Sequence, residues 1–305
     1  MRFSHNLRLA AATALGATAL TIVGLAAPAQ ARVADPGADC LTPTPNAEAA
    51  GARGGATGLD HRDISVAEQR AIARRTNSRL AAKGGASSVS GPASAVTVPV
   101  YVHVMRDDAG RGDVTNRQIS RQVAVLNSDF SDTPYSFALA GVDRYNNTTW
   151  HTDHQSAGYR SQTRQGGANA LNIWLVDFKY LGIATFPWDY AQKGAIDGIR
   201  VNYDSLPGGG ITNFNLGGTA THEAGHWFGL YHTFQGGCTE LNDEVSDTPA
   251  QSGPTSGCPE GRDSCPLPGL DPIHNYMDYS YDTCYTEFTP GQTARMNDAW
   301  AAYRA

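Results

Sequence analysis

The chain has 305 residues, 17% of them charged, with a formal net charge of −6 and a pI near 5.8. That balance leaves no basic face, so nucleic acid is not expected among its partners. The residues that follow the N-terminal segments suit one core of ordinary domain size, and no internal repeat argues for an array.

The first 31 residues, "MRFSHNLRLAAATALGATALTIVGLAAPAQA", carry Arg2 and Arg8, an apolar Ala/Leu stretch, and Ala29-Gln30-Ala31 as a small-residue cleavage site. This predicts a signal peptide over 1–31, cut before Arg32, and a secreted, extracellular product. A membrane anchor is the competing reading. Gly16, Gly24 and Pro28 interrupt the stretch and no later segment is long enough to span, so the mature form is expected off the membrane. Residues 32–94 are rich in Ala, Gly, Ser and Arg and end in "AAKGGASSVSGPAS". They read as a prosegment and linker or as a disordered spacer. One helical patch, "SVAEQRAIARRTNSRLAA", can pack on something but cannot build a core of its own.

Residues 95–305 form the candidate catalytic domain. "VTVPVYVHVM" sets valines at alternate positions from Val96 to Val104, the period of a strand with one buried face. "TNRQISRQVAVLNSDF" follows, with Thr115 and Gln118 as a capping box and Ile119, Val123, Leu126 and Phe130 along one helical face. "SFALAGV", "LNIWLVDF", "GIATF" and "GIRVNY" are further strands. The C-terminal "FTPGQTARMNDAWAAYR" has Thr289 as cap, Pro290 in the first turn and Gln292 to close a second box. Strands and helices in this order give an α/β (α+β) domain.

Between the last strand and the last helix lies "THEAGHWFGLYHTF" (221–234). His222 and His226 are four apart, so a helix stacks them on one face and aims two imidazoles at one point. Gly229 can take positive φ, end the helix and turn the chain, and His232 returns as a third ligand. Three protein ligands and one open position are the arrangement of catalytic zinc. Glu223 is poorly placed to be a ligand but well placed to take a proton from a metal-activated water and pass it to a leaving amine. The chemistry implied is amide hydrolysis.

Cys238, Cys258, Cys265 and Cys284 fall in the loop-rich stretch after this motif, and in an exported chain they predict two disulfides in any of three pairings. A second zinc site is disfavoured because no CxxC pair is present. Cys40 is left over.

The His222-Glu223…His226…Gly229…His232 spacing, followed by "NYMDYS" at 275–280, resembles the metzincins, and "GLYHTF", "DEVSDTP" (243–249), "NYMDYS" and "FTPGQTARM" are similar to the pappalysin family, the ulilysin-like peptidases. The resemblance covers roughly residues 96–296. It implies a metzincin-type domain with a mixed twisted sheet, an active-site helix, a Met-turn and a C-terminal helix. It further implies Met277 as the floor beneath the zinc and Tyr279 as the tyrosine that stabilises the oxyanion. Cys238–Cys265 and Cys258–Cys284 are the disulfides it implies, and "LGIATFP" (181–187) the edge strand for extended peptides. "DEVSDTP" resembles the family's calcium loop, with Asp243, Asp247 and Thr248 offering hard oxygens. One departure stands out. Some relatives place an acid just before the last cysteine of this block to reward a basic residue after the scissile bond. Thr283 stands there, with Asp282 one step earlier and directed elsewhere if the segment is extended.

A secreted zinc-dependent endopeptidase made as a zymogen is therefore expected, acting as a monomer on proteins or peptides, with Cys40 able to occupy the zinc's fourth position and hold the proform latent. The competing readings are a binding module that keeps zinc for stability and a hydrolase of some non-peptide amide.

Overall fold

The computed structural model describes residues 64–84 and 95–305. The leader expected over 1–31, the Cys40 segment and the 85–94 stretch of the linker lie outside them. In chain order the elements are α1 (Val66–Ala82), β1 (Val96–Arg106), α2 (Asn116–Asp129), β2 (Tyr135–Asn146), α3 (Thr148–His151) and α4 (Ser156–Thr163). There follow β3 (Leu171–Val176), β4 (Gly182–Ala184), α5 (Tyr190–Lys193), β5 (Ile199–Asn202), α6 (Gly218–Phe228) and α7 (Pro290–Tyr303).

The long elements begin where local chemistry sets them. Thr115 accepts from the Gln118 amide while the Gln118 side chain accepts from the Thr115 amide, and Thr289 and Gln292 repeat the arrangement at α7, behind Pro290. The five strands form one mixed sheet in the order β2-β1-β3-β5-β4, parallel throughout except for β4, which runs antiparallel to β5 at one edge. Alternation in β1 holds only at its start. From Val102 to Met105 every residue is buried, and β3 is buried along its whole length, because both faces of the central sheet are covered. Ile173 and Leu175 join a core with Ile119, Leu126, Trp227, Phe228 and Met296, whereas Trp174 and Val176 pack with Met105 and Tyr159 on the opposite face.

The helical patch in the candidate prosegment forms α1, with Ser65 as its cap. Its Ile72 and Leu80, with Ile64 just before it, sit at 1–2% exposure in a cluster with Trp188, Tyr231, Ala299, Ala302 and Tyr303. Lys83 Nζ donates to the Ala301 and Ala305 carbonyls at 2.8 and 2.9 Å, and the side chains of Thr76 and Tyr303 are hydrogen-bonded at 2.9 Å. The patch builds no core alone; α7 supplies the other half of one. The short helices α3, α4 and α5 fall where the sequence shows no apolar period long enough to announce them.

Candidate metal centre

α6 is capped by Gly217 and Gly229, both with left-handed backbone (φ 94° and 103°), and all eleven of its residues are buried. Gly229 turns the chain sharply enough for its amide to bond the His226 carbonyl at 2.9 Å and the Leu230 amide to bond the Gly225 carbonyl at 3.0 Å. That turn returns His232 to the face that carries His222 and His226. The three Nε2 atoms stand 3.2, 3.1 and 3.2 Å apart, and all three rings have no solvent exposure.

The second nitrogens explain the aim of the first. His222 Nδ1 is 2.6 Å from the Tyr276 carbonyl, and His226 Nδ1 is 2.8 Å from the Leu230 carbonyl. A carbonyl only accepts, so each Nδ1 carries the proton and each Nε2 presents a lone pair. Lone pairs converging at this spacing repel one another unless a cation sits among them. Nitrogens bound at about 2.0–2.1 Å to a tetrahedral centre would stand about 3.3–3.4 Å apart, close to what is seen. The donor set fits a zinc ion.

The residues around this cluster are closely packed. Met277 is fully buried, and its Sδ occupies the space a side chain on Gly225 would need. The Tyr279 ring lies 5.7 Å from that of His222 and 4.8 Å from that of His232, and His232 is stacked on Phe234 at 4.6 Å. Gln251 ties the His232 loop to the 275–280 segment: its Oε1 accepts from Thr233 Oγ1 at 2.7 Å and its Nε2 donates to Asp278 Oδ1 at 3.0 Å. Burial pushes the Asp278 carboxyl up, with partial relief from Thr255, the Tyr279 amide and Gln251. Sequence reading passed over Gln251, Thr255 and Asp278. Only Asp278, inside "NYMDYS", stood in a quoted motif.

Glu223 is fully buried beside the first residue of β4. That strand pairs on one side only, with β5, which leaves an edge beside the histidine cluster. Asp282 is not in an extended segment: 282–284 form a short 3-10 turn, and the buried Asp282 carboxylate accepts from the Leu216 and Gly218 amides at 2.9 and 3.2 Å, at the start of α6. Thr283 is exposed. Disulfides join Cys238 to Cys265 and Cys258 to Cys284, each closing a loop of similar length.

The candidate calcium loop divides. Asp243 and Thr248 are buried together with Asn242. Asn242 Oδ1 and Asp243 Oδ2 make no hydrogen bond, and the Thr248 hydroxyl eases the charge on Asp243 from outside bonding geometry. Burial pushes the Asp243 carboxyl up to about 7. Asp247 does not join them by its side chain. Its carboxylate accepts from Thr289 Oγ1 at 2.7 Å and the Gly291 amide at 2.8 Å, at the positive end of α7.

Two buried histidines on a helix against a sheet edge, with a third returned by the turn that follows, are the arrangement of the metallopeptidase class. Residues 175–301 match the M43 peptidase family described as pregnancy-associated plasma protein-A. An extracellular metalloprotease of Neurospora crassa is 48% identical over 237 residues, covering 74% of this chain and 83% of that one. One from Podospora anserina is 43% identical over 304 residues, covering 95% and 97%. Among solved structures, mature mirolysin of Tannerella forsythia in complex with a cleaved peptide superposes with a TM-score of 0.59 at 30% identity, over 68% of this chain and 92% of that chain. A promirolysin variant does so at 0.64 and 26%, over 79% and 92%. The chain belongs to the M43 pappalysin family of metalloproteases and is an extracellular metalloendopeptidase.

Proposed function

We propose that the enzyme hydrolyses peptide bonds with a zinc ion held by His222, His226 and His232, and with Glu223 as general base and then general acid. The observation that carries this reading is the convergence of three Nε2 atoms at 3.1–3.2 Å in a fully buried site. Zinc, when bound, acts as a Lewis acid that brings the pKa of a water toward neutrality and polarises the scissile carbonyl. Glu223 takes the proton of the attacking water and delivers it to the departing amine. Tyr279 donates to the developing oxyanion. The free edge of β4 orients an extended peptide by backbone pairing, and Met277 floors the cluster.

Cleavage of a peptide library tests the reading and its specificity together. Hydrolysis is expected, stops on chelation and returns with zinc. No dominant Arg or Lys is expected after the scissile bond, because Asp282 is engaged by two amides and Thr283 carries no charge. Cleavage that survives complete removal of metal contradicts the mechanism; a sharp basic preference contradicts the pocket assignment.

Two further features belong to this reading. The chain is made as a zymogen over 32–94, removed in part or whole after loss of the 1–31 leader, with Cys40 as the latency ligand. In support, promirolysin is matched over a larger share of this chain than mature mirolysin, and α1 docks on α7 through buried apolar side chains. Calcium binds at Asp243 and Thr248, with Asn242 beside them and Asp247 contributing no side-chain oxygen. The raised Asp243 value means that its contribution to stability is complete below the ordinary carboxylate range and is lost as pH rises through about 7. A cation at this carboxylate favours the ionised form and reverses that loss. Calcium is therefore expected to raise the melting temperature by about 5 °C at pH 8 and much less at pH 5, and Asp243→Asn to abolish the increment. Equal gains at both pH values in parent and variant would remove the site.

A further inference from the structure

We propose that Gly182, the first residue of β4, is a positioning residue for the Glu223 carboxylate, the strand edge and the general base being fitted to each other at this one residue. The inference rests on Glu223 being the base. Gly182 pairs with Val201 of β5 in ordinary strand register and does not have positive φ, so its backbone needs no glycine. Space is the reason. α6 packs across β4 and β5, and a Cβ on Gly182 would come within 2.6 Å of Glu223 Cδ and closer still to its Cγ and Oε1. The collision involves the stem of the side chain as well as its tip, so a swing of the carboxylate alone does not relieve it. Glu223 is itself fully buried, which leaves it little room to retreat. A methyl group at 182 therefore displaces the base from the water it must deprotonate, while His222 and His226, anchored to the Tyr276 and Leu230 carbonyls, and His232, stacked on Phe234, keep their places.

Acid-base catalysis is distance-critical, so Gly182→Ala is expected to lower kcat by about a hundredfold with KM within about threefold of parent, and with zinc still at one ion per chain. A readout independent of catalysis comes from melting the metal-free proteins. Gly182→Ala is expected to melt about 5 °C below the metal-free parent, as overpacking of a filled core does. Adding Glu223→Ala removes the obstructing side chain and is expected to recover most of that loss, and Gly182→Ala is expected to cost no further activity in the Glu223→Ala background. Parental kcat in Gly182→Ala, or the same melting loss whether or not Glu223 is truncated, overturns the proposal. Should Gly182→Ala fail to fold, a folded double variant supports it and an unfolded one overturns it. Full activity in Glu223→Ala alone would instead overturn the base assignment, a failure the melting cycle does not share.

Discussion

Glu223→Ala is expected to bind zinc at one ion per chain, with an unaltered fold, and to hydrolyse peptides about a hundred to ten thousand times more slowly than the parent. The two halves of that result come from different atoms. In the proposed mechanism metal affinity resides in the three Nε2 donors, and the substitution does not touch the main-chain carbonyls that orient His222 and His226 or the Phe234 ring stacked on His232. Proton transfer resides in a carboxylate with no place among those donors. Substituting His232 instead is expected to weaken zinc binding itself, because it removes one of the three converging lone pairs. Metal analysis beside a peptidase assay separates the two. Loss of zinc in Glu223→Ala, or retention of full activity, would contradict the division of roles.

The second large effect is on stability. Arg304 and Asp197 are both fully buried, with Arg304 Nη1 3.0 Å from Asp197 Oδ2. The guanidinium lies over the Trp227 ring at 3.6 Å and donates to the Trp227 and Ala168 carbonyls. Asp197 also accepts from Trp227 Nε1 at 3.0 Å and from Thr185 Oγ1 at 2.8 Å, which links the C-terminus, the active-site helix and the residue after β4. Removing Arg304 takes away the hydrogen-bonded partner of the buried carboxylate and leaves it only Arg164, whose Nη2 stands 3.8 Å from Asp197 Oδ2, at a cost of about 3–5 kcal/mol. Arg304→Met is therefore expected to lower the melting temperature by about 10 °C in a domain of this size. Replacing Asp197 by Leu in the same chain is expected to return part of the loss, because the buried carboxylate is then gone and Arg164 keeps its bonds to the Gly166 and Gly167 carbonyls. A single variant as stable as the parent would mean that water reaches Asp197 and solvates it.

How much of this could be read from the sequence follows the distance over which each interaction acts. The capping boxes at Thr115 and Thr289 are three-residue affairs and could be read directly. So could the return of His232, since Gly229 and the helical repeat fix it within eleven residues. Asp197 and Arg304 stand 107 positions apart, and neither is unusual in its own neighbourhood. Gly182 lies in a short strand whose quoted pattern said nothing about Glu223. The resemblance of "DEVSDTP" to a calcium loop groups Asp247 with Asp243, but its carboxylate is drawn to the N-terminus of a helix more than forty residues later, where unpaired amides and the helix dipole favour it. Asp282 was expected to point away from the pocket because its segment would be extended. The segment is not extended: the turn at 282–284 delivers the Asp282 carboxylate to the first amides of α6. The docking of α1 escaped because Ile64, Ile72 and Leu80 are too sparse to announce a buried face until Trp188, Tyr231 and Tyr303 are placed opposite them.

In the proposed mechanism three histidines of one helix-and-turn unit hold the catalytic metal and leave one position open to water. X-ray absorption at the zinc edge on the active, processed enzyme measures this directly. The account predicts three nitrogen ligands and one oxygen at about 2.0–2.1 Å with no sulfur in the shell, and loss of one nitrogen in His232→Ala. A sulfur ligand in the active enzyme, four protein ligands with no exchangeable oxygen, or a shell unchanged by His232→Ala would contradict it.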